Sequence, residues 1–270
     1  MTTLRFASHI HSNCSDDSTW TLPRLVRILR SAGYDGALVC DHDRTMTGRS
    51  WDRLREECAR LSASTGFILV PGIEYQDEDH VVHLPVFGDV PFYGRSPRIG
   101  TLLEAAAGDG AATVFAHPAR RNARDRFDAG WSPLLTGIEV WSRKYDGLRP
   151  NGWALDAAAE HGLTGFASLD FHGPRQLYPL AMLVDLPSGA DQRDVVSAMR
   201  EGRCRASALG LRPERFGSGL LGAAGSMLES TRRWAAPRLR RVEAAMGRRN
   251  DGLPGSGLPE ADTNGTSRHD

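Results

Sequence analysis

Six of the nine histidines in this sequence fall on or just past short apolar runs: His9, His11, His42, His83, His117 and His172. Glu74 and Asp170 close two such runs themselves. Imidazole and carboxylate are the groups that hold divalent transition-metal ions. His9 and His11 lie two residues apart, so on a strand they share a face and can grip one ion. Asp170 and His172 repeat that spacing where the chain is leaving a strand. A single His-x-His or Asp-His pair is a weak signal, and Ala116-His117-Pro118 alone reads equally well as a turn. Six histidines and several carboxylates in register say more, because neutral imidazoles buried together without a cation leave ring nitrogens without partners.

The elements that must position these groups alternate along the chain. Strands are expected over 4–11, 36–41, 67–74, 81–87, 112–117, 136–141, 163–170 and 180–186, each short, apolar and bounded by Gly, Pro or Asp. Helices are expected over 21–32, 50–64, 99–107, 152–161 and 191–201, the fourth stopping at His161-Gly162. This alternation predicts an α/β fold with a parallel sheet, open or closed, interrupted by a return strand within 75–87. In such folds the C-terminal strand ends converge on one face, where sites are built. The ends at 11, 42, 74, 117, 139 and 170 come about one β-α unit apart, so each unit delivers an imidazole or carboxylate to the same end.

Composition limits the alternatives. The 270 residues carry 33 basic and 33 acidic side chains, so nucleic-acid binding through overall charge is not expected. There is no run of 18 apolar residues, and no secretory leader is expected. The four cysteines, Cys14, Cys40, Cys58 and Cys204, form no CxxC pair, so neither a disulfide framework nor a thiolate zinc site is indicated. A reduced, cytoplasmic protein is the expectation. Composition changes near residue 210, which divides a domain over 1–210 from an Arg- and Gly-rich tail over 211–270. Residues 226–249 read as a short basic helix broken at Pro237, facing an anionic membrane or a partner, or as a solvated tail. Residues 250–270 hold too few apolar groups to order. A partner for this tail is not identifiable.

Taken together, the motifs resemble those of the polymerase and histidinol phosphatase (PHP) family of metal-dependent phosphoesterases. The resemblance spans roughly 4–207 and rests on His9-Ile10-His11-Ser12-Asn13-Cys14-Ser15-Asp16, Asp41-His42, Pro71-Gly72-Ile73-Glu74, His83-Leu84-Pro85-Val86-Phe87-Gly88, Ala116-His117-Pro118, Gly137-Ile138-Glu139-Val140 and Asp170-Phe171-His172. It implies a distorted TIM-like (β/α)7 barrel and three divalent ions, Mn2+, Fe2+ or Zn2+. One ion would take His9, His11, Glu74 and Asp170. A second would take Glu74 as a bridge with His83 and His117. A third would take Asp16, His42 and His172. Two departures stand out: Asp17 where the first motif often has Gly, and Phe171 where a small residue is usual. His80, at odd spacing from His83, would point away from the site. Glu139 reads as support for a ligand rather than a ligand.

The implied chemistry is hydrolysis of a phosphate ester. A hydroxide shared by two ions would attack phosphorus in line, with His9, His11, Glu74 and Asp170 forming the catalytic core. Three divalent ions outweigh the carboxylates Asp16, Glu74 and Asp170, so the site favours a strongly anionic ligand. Arg44, Arg120, Arg121 and Arg143 follow strand ends and are candidates for binding phosphate, with Lys144 beside the last. Trp141 shares a face with Glu139 and either stacks on a base or sugar or packs at the barrel rim. Only about 29 residues separate Gly88 from His117, too few for a large lid domain. A small phosphomonoester, such as a sugar phosphate or nucleotide, is the first expectation, without a stable nucleic-acid complex. The alternatives are 3′-5′ or 5′-3′ exonucleolytic attack on short oligonucleotides, an amidohydrolase-type hydrolase, or a non-catalytic metal-binding module.

Overall fold

In a computed structural model, residues 1–231 are described apart from 218, 220, 221 and 226. The strands are β1 (Thr2–Ile10), β2 (Gly36–Val39), β3 (Asp41–His42), β4 (Ile68–Val70), β5 (Gly72–Gln76), β6 (His83–Phe87), β7 (Ala112–Phe115), β8 (Gly137–Ser142), β9 (Thr164–Ser168), β10 (Leu180–Leu186) and β11 (Cys204–Ala208). The helices are α1 (Leu22–Ser31), α2 (Gly48–Thr65), α3 (Ile99–Gly108), α4 (Gly152–His161), α5 (Gln192–Arg200) and α6 (Glu214–Gly217). Most expected elements are found within a few residues of their predicted limits. One strand, β11, was not anticipated; Arg203 and Arg205 flanking Cys204 hide its apolar character. Residues 227–231, within the expected basic helix of 226–249, are helical; the rest of that helix and the unordered end of 250–270 lie outside the described residues.

Two strands run as single apolar segments in sequence but are broken in space. The segment 36–41 divides at Cys40 into β2 and β3, and 67–74 divides at Pro71 into β4 and β5. Proline has no N–H to give a ladder, so a break at Pro71 is its natural position. The breaks carry the chain from one sheet to the next. The first sheet has the order β11-β10-β1-β2-β4 and the second β3-β5-β6-β7-β8-β9. Gly72, just past the break, sits so close to its neighbours that a Cβ there would lie 2.7 Å from the Val86 carbonyl oxygen and 2.9 Å from that of Val39. Only glycine fits that approach.

The sheets also join along their other margin. His11 N–H donates to the Phe171 carbonyl at 3.1 Å, Phe171 N–H to the His9 carbonyl at 2.9 Å, and Leu169 N–H to the Ser8 carbonyl at 3.0 Å. Neighbours β1, β2 and β4 are parallel, as are β7, β8 and β9. The expected return strand is β6, antiparallel to both β5 and β7. The resulting architecture is mixed α/β with parallel strands whose C-terminal ends share one side.

The helices hold this frame by burying one stripe each. Leu22, Leu25, Val26 and Leu29 of α1, and Trp51, Leu54, Cys58 and Leu61 of α2, face the core at the spacing of a helical face. Thr47 and Ser50 form a capping box that starts α2, and Asp191 and Asp194 form another at α5. Asn151 caps α4, which stops at Gly162 in the left-handed conformation. No helix among the described residues is long and apolar enough to cross a membrane.

Candidate metal centre

The side chains of His9, His11, His42, Glu74, His83, His117, Asp170 and His172 come from six strands and the turns after them, yet they meet in one pocket. Glu74, in the middle of β5, is the hub. Its Oε1 lies 2.7 Å from His83 Nδ1, 2.9 Å from His117 Nε2 and 3.2 Å from His9 Nε2. Its Oε2 lies 2.9 Å from His42 Nδ1 and 3.5 Å from His11 Nε2. Asp170 Oδ1 lies 3.3 Å from His172 Nδ1 and 3.4 Å from His11 Nε2. His9, His11, His83, His117, Glu74 and Asp170 are all buried.

Backbone conformation helps to aim these groups. His9, His117 and Asp170 have φ of 61°, 26° and 46°, in the left-handed region that residues with a Cβ rarely enter. Each such residue costs of order 1–3 kcal/mol, which persists only when surrounding structure imposes it, commonly at functional sites. These three residues are also one of the groups whose ligand atoms lie within 4.8 Å of each other. At His9 the cause is visible. Ala7 pairs with Ala37 but Ile10 pairs with Val39, so β1 carries one extra residue there. The bulge turns His9 inward beside His11.

The pocket fits a cation by the chemistry of its unpartnered atoms. His9 Nε2, His11 Nε2, His42 Nδ1, His83 Nε2, His117 Nδ1, Glu74 Oε2 and Asp170 Oδ2 are buried and make no hydrogen bond. Buried polar atoms without partners are costly, so such a concentration needs a compensating ligand. Four sets converge: His11, Asp17, His42 and His172; His9, His11 and Glu74; His9, His117 and Asp170; His42, Glu74 and His83. Tetrahedral ligands about 2.1 Å from an ion stand about 3.4 Å apart, close to the separations around Glu74 and Asp170.

Protonation differs across the pocket. Burial pushes the pKa of His11 down to about 3 and that of His83 to about 4, which keeps both rings neutral. Burial would raise the carboxyls of Glu74 and Asp170. The imidazoles around them, His83 foremost for Glu74 and His9 for Asp170, outweigh it and hold both well below the usual range. His42 is opposed by burial too, but the Glu74 carboxylate beside it raises its pKa to about 9.

A second set of contacts orients the ligands. Glu139 Oε1 stands 2.7 Å from His9 Nδ1, and its Oε2 accepts from His117 N–H at 2.8 Å. Asp41 Oδ1 accepts from Ser12 N–H at 2.7 Å and Ser15 Oγ at 2.9 Å; Oδ2 accepts from Ser12 Oγ at 2.6 Å. Ser15 Oγ in turn accepts from His42 N–H at 2.9 Å and lies 3.3 Å from His11 Nδ1. Asp41 therefore anchors the loop between β1 and α1.

At the adjacent aspartates the structure departs from the sequence reading. Asp16 points outward: Arg44 grips it, with Nη2 2.7 Å from Oδ1 and Nε 3.1 Å from Oδ1. Asp17 turns inward instead, its Oδ2 3.1 Å from His42 Nε2 and 3.0 Å from His172 Nε2. Composition cannot separate two neighbouring aspartates; the loop conformation set by Asp41 and the serines does.

The other candidates sit around the rim. Arg120 Nη1 donates to the His80 carbonyl at 2.6 Å, and Arg121 Nη1 reaches the same oxygen at 3.4 Å. Both staple their loop to the β5–β6 connection, and the His80 side chain stays outside the pocket. The Arg143 guanidinium lies over the Tyr178 ring, 5.3 Å from its centroid. Trp141 is fully buried, donates to the Gly147 carbonyl at 3.1 Å and packs on Phe216. A register shift between Glu139 and Trp141 separates their directions, so Trp141 is a packing residue. Lys144 reaches the pocket itself, with Nζ 3.3 Å from Asp170 Oδ1.

No family model and no curated protein sequence matches the chain. Solved structures do. A two-domain protein from Bacteroides vulgatus that contains a predicted PHP-like metal-dependent phosphoesterase superimposes with a TM-score of 0.56 at 20% identity. The match covers 77% of this chain and 65% of that one, so the chain spans just under two thirds of that protein. PsfC from Pseudomonas syringae gives 0.60 at 14% identity, over 86% of this chain and 99% of the other. The lesion-specific endonuclease PfuEndoQ from Pyrococcus furiosus gives 0.54 at 14% identity, over 76% and 58%. The chain therefore has the fold of these proteins, the PHP-like phosphoesterase among them.

Proposed function

We propose that this chain is a metal-dependent hydrolase of phosphate esters, acting on a small phosphomonoester such as a nucleotide or sugar phosphate. The observation that supports the reading best is the concentration of buried, unpartnered imidazole and carboxylate atoms around Glu74 and Asp170. We read the two joined sheets as a distorted barrel of β-α units, with residues 1–210 as the hydrolase domain.

Three divalent ions are proposed, of Mn2+, Fe2+ or Zn2+, because mixed nitrogen and oxygen ligands suit these metals. His11, Asp17, His42 and His172 would hold one. His9, His117 and Asp170 would hold another, and Glu74 with His83 a third. When bound, the ions would supply Lewis acidity and a water acidic enough to attack at neutral pH. The chain's own part is to set that geometry. Glu139 fixes the His9 ring, Asp41 fixes the loop that carries His11 and Asp17, and Glu74 draws the imidazoles of His9, His42, His83 and His117 around itself. Arg44, Arg120, Arg121 and Arg143 remain candidates for the phosphate.

The test is elemental analysis of the purified protein beside a panel of phosphomonoesters, phosphodiesters, short oligonucleotides and amides. Bound transition metal and monoester hydrolysis, lost on chelation and restored by added metal, are expected. Oligonucleotide cleavage with steep salt dependence would favour the nuclease reading instead. Full activity in chelator would sink the proposal.

A further inference from the structure

One group at the pocket mouth is used by none of the contacts that orient the ligands. Lys144 is the single lysine among 33 basic residues. Its Nζ stands 3.3 Å from Asp170 Oδ1 and 3.4 Å from each ring nitrogen of His172. The side chain keeps 31% of its surface exposed, so it joins the buried cluster to solvent.

The turn that carries Lys144 is pinned. Asp146 N–H donates to the Ser142 carbonyl at 2.8 Å, and Asp146 Oδ2 accepts from Ser142 N–H at 2.7 Å. Asn151 Nδ2 donates to Asp146 Oδ1 at 3.1 Å. The residue between, Tyr145, packs its ring against His117 at 4.8 Å between centroids. A turn closed from both ends holds the Lys144 backbone at the mouth while four methylenes let the ammonium move. Burial works against the charge, but the Asp170 carboxylate outweighs it and the pKa is raised.

Resting on the phosphoesterase reading above, we propose that Lys144 binds a non-bridging oxygen of a terminal phosphate and makes the site select dianionic monoesters over monoanionic diesters. Divalent ions on Asp170 and His172 would repel an ammonium from its present partners and leave it facing the mouth. A lysine suits that task, being a compact point charge whose donors rotate towards whichever oxygen is presented. A second negative charge on the ligand is the feature such a group reads.

The experiment uses the full metal-loaded chain with Lys144→Gln and Lys144→Arg. Metal content is measured by elemental analysis and binding of inorganic phosphate by calorimetry. kcat/KM is compared for p-nitrophenyl phosphate and bis(p-nitrophenyl) phosphate. A charge-assisted hydrogen bond predicts a loss of about 10- to 100-fold in phosphate affinity and monoester kcat/KM for Lys144→Gln. Diester turnover should change by less than about threefold, metal content should stay the same, and Lys144→Arg should recover part of the loss. Unchanged phosphate affinity and ester preference in Lys144→Gln overturn the inference. So does a loss of metal that accounts for the defect, since Lys144 would then only support the ligands. If the wild type cleaves neither ester yet binds phosphate through Lys144, the hydrolase reading falls and the anion site stands.

Discussion

Charges at the two ends of the sheets are treated in opposite ways. At the N-terminal end of β1, Arg205 Nη1 lies 3.4 Å from Asp185 Oδ2. These side chains are exposed, and water screens what their partners leave over. At the C-terminal end, Glu74 and Asp170 are buried among imidazoles, with atoms that nothing bonds. Exposed charges in pairs are ordinary surface. Buried charges without enough partners are the mark of a place for a ligand, since isolated burial would cost several kcal/mol per ion.

Breaking the buried end should have the largest effect. Asp170→Asn removes a charge shared with His11 and His172 and should lower hydrolysis by about a thousandfold or more, with reduced bound metal on elemental analysis. Glu139→Gln weakens only the support of His9 and His117, so metal affinity should fall by about 10- to 100-fold, read by competition with a chelator. The neighbouring aspartates sharpen the contrast within a single loop. Asp17→Asn should lower metal stoichiometry, whereas Asp16→Asn should leave it unchanged and shift stability by less than about 1 kcal/mol, as for exposed ion pairs. An equal loss of metal in both would show that the loop rearranges on binding. The smallest effect belongs to the exposed end: Asp185→Asn should change unfolding free energy by within about 0.5 kcal/mol and leave metal content alone.

Much of this was readable before any coordinates. The alternation of apolar runs and helical stripes placed most strands and helices, and the repeated delivery of His or Glu at strand ends located the pocket. β11 escaped because alternating arginine and small residues give little apolar signal. The split strands escaped because Cys40 and Pro71 sit inside runs that periodicity treats as continuous. Trp141 packs, as one of its two readings had it; only its shared face with Glu139 fails, because an i, i+2 argument assumes a regular pleat and a register shift follows Glu139.

Residue type and position along the chain were enough to say which groups gather and at which end, since β-α units impose a common direction on their strand ends. The family resemblance put Asp16 in the pocket where Asp17 turns inward, and residue types alone did not say that Lys144 leans on Asp170. Those outcomes depend on loop conformation: the Ser12, Ser15 and Asp41 hydrogen bonds in one case and the Ser142–Asp146 turn in the other. The first loop is shaped by contacts between segments distant in sequence; the second closes locally, but Lys144 meets Asp170 only because β8 and β9 pair side by side, and local spacing records neither.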